Sequence, residues 1–371
     1  MKHIKILILF FISNLLFAQN NFELDLTSKD YVNDSLWIGA PMVRSGFGDL
    51  YQFKLVENKN LEDLSKKMNA DFSIYNLNIK NENILKGKID YPQPVAFIHM
   101  SNPPSGTDIF FIEKGKYNYE LPKITNGLVV NLQTPSNIEY QKLKNYLTPV
   151  YFKFDDLNKR DSLTSFDKKQ EMISSYIKAN PNSYVALWEI VNDYTLYNYS
   201  PTYLENMKFF SNEIKKNPFY KKIYSKLKIE SETMIGKKIP DIYFDKKHSL
   251  KEEDFKKHKL TVIDYWSTTC APCIKGMPEL VKLYNDFKDK GVNLITVTDE
   301  SKSDRMALAE KILRKSNAEW ANYFDVNKKF SKSVNATGYP LQFVIDTNGK
   351  ILARTFGDLD HIRELLIENL K

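Results

Sequence analysis

The chain has 371 residues, more than a single hydrophobic core usually supports, so two or three folded units are expected. Hydrophobic residues make up 42% and aromatic residues 13%, enough to build packed cores, which excludes a disordered chain. The formal charge of +7 is carried by lysines scattered among acids, with no long run of one sign, so no nucleic-acid partner is expected.

The first eighteen residues read as a cleaved secretion signal. Lys2 and Lys5 form a positive head, Ile6 to Phe17 is almost wholly apolar, and Ala18 offers the small residue for cleavage in Leu16-Phe17-Ala18-Gln19. The apolar run is well short of the roughly 20 residues that span a bilayer. No cysteine lies near the cleavage point, which excludes a lipid anchor there, and no later stretch is long and apolar enough to span a membrane. The expected location is the periplasm or cell envelope, with no transmembrane segment once the signal is removed.

Residues 19–150 form the first expected domain, an antiparallel β-sandwich. Phe72 to Ile79 alternates, and apolar runs at Pro94–Met100, Asp108–Glu113 and Gly127–Leu132 read as further strands. Turn clusters separate them: Lys86-Gly87-Lys88, Ser101 to Gly106, and Thr125-Asn126-Gly127. Asn58–Met68 is expected as a short helix.

Residues 151–233 read as an all-α connector of three or four short helices. Tyr184, Leu187, Trp188 and Val191 share one helical face, and Tyr203, Met207, Phe210 and Ile214 repeat the pattern on another helix. Asn180-Pro181-Asn182-Ser183 breaks a helix, with Ser183 a candidate cap for the next, and Asn217-Pro218 breaks another. These aromatic stripes are read as core rather than as a ligand groove.

Residues 234–371 form the last unit. Leu260–Trp266 reads as a strand and Cys270–Lys290 as a helix with the stripe Met277, Leu280, Val281 and Tyr284, stopped by Gly291. Val292–Thr298 is apolar enough for a buried parallel strand. A helix at Ser303–Lys315 follows, then Leu341–Ile345, an Asn348-Gly349 turn, Ile351–Phe356 and a helix from Asp358 to Leu370. Alternating strand and helix followed by a hairpin and helix specifies a mixed central sheet flanked by helices.

Only two cysteines exist, Cys270 and Cys273, separated by two residues. A bridge between them closes so small a loop that it constrains little of the unfolded chain, so its value lies in reactivity. They stand directly after a strand and open a helix, where unpaired N–H groups and the helix dipole favour a thiolate. Cys270 at the mouth is the candidate attacking thiolate, and Cys273 inside the first turn the candidate resolving thiol. Pro272 suits the first turn, where a missing N–H costs nothing. Half a zinc site is disfavoured because no second cysteine pair exists, so neither metal nor cofactor is expected. A buried structural pair is a further alternative. A peroxidatic cysteine is disfavoured too: Ser267 stands three before Cys270, but the proline expected four before that hydroxyl is replaced by Ile263.

The run Val262-Ile-Asp-Tyr-Trp-Ser-Thr-Thr-Cys-Ala-Pro-Cys-Ile-Lys-Gly-Met-Pro-Glu279 resembles the thioredoxin superfamily, in its exported TlpA/ResA-like branch. The resemblance implies a thioredoxin-like fold and roles for four further positions. Trp266 stands at the aromatic beside the active site and is assigned to substrate binding. Pro278 matches the proline that kinks the first active-site helix. Tyr339 and Pro340 match the cis-proline loop, where the backbone of Tyr339 pairs with an extended substrate. Asp264 stands at the buried acid that relays the proton of Cys273. ResA-like proteins often carry an acid inside the motif, where this chain has Ala271. Asn83–Ile89, Phe110–Gly115 and Asn137–Tyr140 are similar to a small β domain of unknown function that precedes many TlpA-like domains in Bacteroidetes.

The function implied is an exported thiol–disulfide oxidoreductase, a reductant of protein disulfides served by a membrane electron donor. Apocytochrome c cysteines and misoxidised exported proteins are candidate substrates. The alternatives are an envelope binding protein using its N-terminal β domain, with the dithiol regulatory, and an AhpC/TSA-like peroxidase.

Overall fold

A computed structural model describes residues 21–40, 48–68, 70–150, 162–244 and 248–371. The expected signal at 1–18 and the expected domain junction after 150 lie outside the described residues. The chain divides into two compact units, Met1–Tyr224 and Ser225–Lys371, each taken by itself below. The cut falls within the helix Pro218–Glu232.

In the first unit two sheets share one apolar core. The smaller places Gly115–Glu120, Phe22–Thr27, Asn83–Lys88 and Lys54–Leu55 side by side. Its pairings are antiparallel except that Phe22–Thr27 runs parallel to Gly115–Glu120. The larger is antiparallel, with Ser35–Gly39 between Ile74–Asn78 and Gln93–His99. Alternation supplies the core: Leu24, Leu26 and Leu85 from the first sheet meet Leu36, Ile38 and Phe97 from the second, all buried. Fully burying each such side chain is worth about 1.5–3 kcal/mol.

Three expectations for this unit change. Gly127–Leu132 is not a strand; it makes one isolated bridge, between Leu128 and Thr107. Its alternation is real, since Val130 and Leu132 are buried in the core, but no neighbouring strand pairs with it. Asn58–Met68 splits into a strand, Leu61–Asp63, and a helix, Ser65–Met68. Pro135–Leu147, inside the region read as β, is a helix. Thr134 caps it by accepting from the Asn137 amide, Pro135 occupies its first turn, and Tyr140, Leu143 and Leu147 form its buried face.

Among the described residues five helices follow, not three or four: Ser162–Ala179, Tyr184–Tyr197, Pro201–Met207, Asn212–Lys216 and Pro218–Glu232. Ser183 caps the second as expected, its hydroxyl accepting from the Ala186 amide at 2.8 Å. Tyr203, Met207, Phe210 and Ile214 are all buried, yet not on one helix. The helix ends at Met207 and Ser211 caps a new one, accepting from the Ile214 amide. No helix among the described residues is long and apolar enough to cross a membrane.

The second unit is built on a five-stranded sheet whose strands are β1 (Leu260–Trp266), β2 (Val292–Thr298), β3 (Ala321–Phe324), β4 (Leu341–Asp346) and β5 (Ile351–Phe356). The spatial order is β3-β2-β1-β4-β5. β1, β2 and β3 are parallel, while β4 and β5 run antiparallel to their neighbours. Helices α1 (Ala271–Phe287), α2 (Ser303–Lys315) and α3 (Leu359–Asn369) connect and complete it. This is the mixed sheet expected from sequence, and it is a thioredoxin fold. Every residue of β1 is buried, as befits a central strand. On α1 the buried face is Cys273, Met277, Leu280, Leu283 and Phe287; Val281 and Tyr284 sit half-buried at its flank. Gly291 takes φ 92°, a left-handed turn that ends the helical run before β2.

A buried ion pair explains why residues just beyond Tyr224 belong to this unit. Arg354 on β5 donates to Thr233 Oγ1 at 2.6 Å and to Glu230 Oε1 at 3.3 Å, and Asn335 donates to Glu230 Oε2. Both charged side chains are almost wholly buried, so each depends on the other.

Candidate active site

The parallel register brings the C-terminal ends of β1 and β2 together, with Trp266 opposite Thr298. From Trp266 the chain crosses Ser267, Thr268 and Thr269 and enters α1 through Cys270 as its cap. The Cys270 amide donates to the Ser267 carbonyl at 3.0 Å, closing this link as a tight turn. Cys270 Sγ accepts from the Cys273 amide at 3.1 Å, and the two cysteines form a disulfide. Both are close to buried, at 9% and 6% exposure. Sγ of Cys270 therefore lies where the helix presents unpaired donors, which stabilises a thiolate once the bond is reduced. Pro272 falls in the first turn of α1. Pro278 lies inside the helix and is exposed; having no N–H, it removes one bond of the helical ladder.

Tyr339–Pro340 is cis and leads directly into β4. Tyr339 is half-buried, packs on Tyr265 with ring centroids 5.1 Å apart, and borders the cluster that holds both cysteines. Its hydroxyl donates to Asp299 Oδ2. Trp266 is 0% exposed and lies in the same cluster. The assignment of Trp266 to substrate binding is therefore corrected: β1 points it into the core, in the apolar cluster that also holds the two cysteines, where it offers no surface to a ligand. Its Nε1 has no hydrogen-bond partner among the described residues.

Asp264 is buried in β1, and Gln342 Nε2, opposite it on β4, donates to Oδ1 at 2.8 Å. Burial pushes its pKa up to about 6 against the opposing pull of Gln342. Because the folded state holds a proton that the unfolded chain has released, stability falls as pH rises from about 4 to 6, and stays lower above that. Asp264→Asn should abolish this slope and stabilise the oxidised protein above pH 6 by up to about 3 kcal/mol. Denaturant unfolding at pH 4 to 8 measures it, and an unchanged slope in the variant would refute a buried acid here.

Sequence reasoning missed Asp299 and Glu300, which follow β2 directly. Glu300 is 9% exposed. Its Oε1 accepts from the Thr268 amide at 2.9 Å, from Ser267 Oγ at 3.1 Å and from Thr268 Oγ1. Asp299 accepts from Tyr339 and pairs with Lys328. Two adjacent acids at the end of an apolar strand, on the edge where the cysteine turn begins, are the signal that could have found them.

Residues 235–354 match the AhpC/TSA family. The chain is 29% identical over 144 residues to the thiol-disulfide oxidoreductase ResA of Bacillus thuringiensis subsp. konkukian, covering 38% of this chain and 80% of that protein. It is 26% identical over 103 residues to the thioredoxin-like protein YneN of Bacillus subtilis, covering 26% of this chain and 55% of that protein. Among solved structures, the thioredoxin domain of a thiol-disulfide oxidoreductase from Bacteroides vulgatus is 26% identical. That likeness covers 36% of this chain and 97% of the other, with a TM-score of 0.30.

Proposed function

We propose that this chain, which through its C-terminal unit is a TlpA/ResA-like thiol–disulfide oxidoreductase of the thioredoxin superfamily, works outside the cytoplasm as a reductant of protein disulfides. The observation that carries the reading is Cys270 as the cap of α1, joined to Cys273 one turn further in. In the reduced protein the Cys270 thiolate attacks one sulfur of a substrate disulfide; that bond breaks, and the other substrate sulfur leaves and takes a proton. Cys273, its proton passed to Asp264, then attacks Cys270 Sγ and releases the second substrate thiol. Two electrons and two protons reach the substrate, and Cys270–Cys273 is left oxidised.

The backbone of Tyr339, ahead of cis Pro340, holds the substrate strand. The apolar segment Ile6–Phe17 supports export to the periplasm or envelope. A reductant there needs two electrons returned by a membrane donor, and exported proteins with wrong disulfides, or apocytochrome c cysteines, are substrates of fitting chemistry. The division into 19–150, 151–233 and 234–371 assigns the redox work to the last segment.

Insulin reduction coupled to a dithiol donor tests this. Cys270→Ser is expected to abolish turnover, and full activity in Cys270→Ser and Cys273→Ser together would reject the assignment. The AhpC/TSA match favours a second reading, reduction of peroxide at Cys270. Peroxide consumption by the wild type that disappears in Cys270→Ser would establish it in place of the first.

A further inference from the structure

We propose that Glu300 is a positioning residue that makes Cys270 a weaker acid, and so biases the dithiol toward donating electrons; this rests on the thiol–disulfide reading above. Ala271 leaves the segment between the cysteines uncharged. The structure supplies a carboxylate from just beyond the neighbouring strand β2 instead. Glu300 Oε1 takes three hydrogen bonds from Ser267 and Thr268, the first two of the three residues between β1 and Cys270. The Ser267 carbonyl in turn holds the Cys270 amide. Glu300 is thus tied to the turn that sets where Cys270 lies.

Ser267 and Thr268 are themselves buried, at 4% and 7% exposure, so little water screens this charge. A like charge fixed on the turn that leads into Cys270 disfavours the Cys270 thiolate and opposes the dipole of α1. Destabilising the thiolate destabilises the dithiol relative to the disulfide, which makes the pair a stronger reductant. The surrounding charged groups are few. Asp264 on β1 is bonded to Gln342, and Asp299 is paired with Lys328 and bonded by Tyr339. Arg305 on α2 has its Nε 3.7 Å from Glu300 Oε2 and partly offsets the charge. Lys275 and Glu279 on α1 are exposed.

The test is the pH profile of Cys270 alkylation by iodoacetamide in the full chain carrying Cys273→Ser, where Cys270 is the sole thiol. Adding Glu300→Gln should move the midpoint down by about half to one pH unit. Adding Arg305→Gln, a change at a partly exposed site, should move it up. A midpoint that stays or rises in Glu300→Gln overturns the proposal. If that variant does not fold, Arg305→Gln decides alone, and an unmoved or lowered midpoint overturns it. The alkylation profile is independent of turnover, so insulin reduction that persists in Cys270→Ser and Cys273→Ser would count against the proposed function without imitating either result.

Discussion

Replacing Cys273 with serine is expected to leave a protein that captures substrates and does not let them go. Cys270 caps α1 and carries the sulfur that meets the helix donors, whereas Cys273 lies within the first turn and on its buried face. The proposed mechanism therefore gives the first attack to Cys270 and the second to Cys273. Because both sulfurs sit on one rigid turn, release is intramolecular, with the advantage of about 10⁵ M or more that oriented groups have over a thiol in solution. Serine at 273 removes that step alone. Turnover of insulin should fall by at least about a hundredfold, while an equimolar adduct accumulates on Cys270, visible on non-reducing gels and by mass, and discharged by an added dithiol. In cell extracts the same variant should carry its natural substrates. If Cys270→Ser traps adducts through Cys273 as readily, the two roles are reversed. If neither variant traps, the exchange mechanism fails.

Much of the second unit was legible because its signals are strong and local. β1 and β2 are long apolar runs of the sort that only a doubly covered central strand tolerates. Gly349, at φ 76°, makes the hairpin turn announced by Asn348-Gly349. Edge strand β3 has four residues, none fully buried, and no alternation to read. Pro135–Leu147 was lost because Asn137 to Tyr140 alternates over too few residues to separate a strand from a helix, while the Thr134-Pro135 start was decisive and overlooked. At the site the cysteines and the cis-proline were visible as motifs. Trp266 was legible in position but not in orientation, since one residue's shift in a strand decides which face it meets. Glu300 was hinted at by the pair of acids after β2, but its bond to a turn more than thirty residues earlier is a pairing that no local pattern encodes.

The largest effect on stability is expected in the helices of the first unit, from Lys169→Met. Lys169 lies on Ser162–Ala179 and reaches Glu189 at 2.7 Å and Asp193, both on Tyr184–Tyr197; the three side chains are 3%, 5% and 0% exposed. Gln170 donates to Asp193 at 2.6 Å, and Asn206 donates to Gln170, so the cluster ties three helices together. Burial works against the lysine's charge, but the two carboxylates more than offset it and hold Lys169 above the ordinary lysine range. Burial, then Glu189, push the pKa of Asp193 up to about 7 despite Lys169. Methionine fills similar space and removes the cation that the two carboxylates share, a loss of about 3–5 kcal/mol near neutral pH. The sign of its pH dependence follows. With the folded-state Asp193 carboxyl pushed further above its unfolded value, the variant regains stability as pH falls from 7 toward 4 and that acid protonates. Adding Asp193→Asn should recover a large part of the loss, since it removes one of the two acids that Lys169 held. Chemical denaturation of the three proteins at pH 5 and pH 7.5 measures all of this. A loss below about 1 kcal/mol at pH 7.5, the scale of a solvent-exposed pair, would mean that water reaches the cluster and that Lys169 does not hold these helices together.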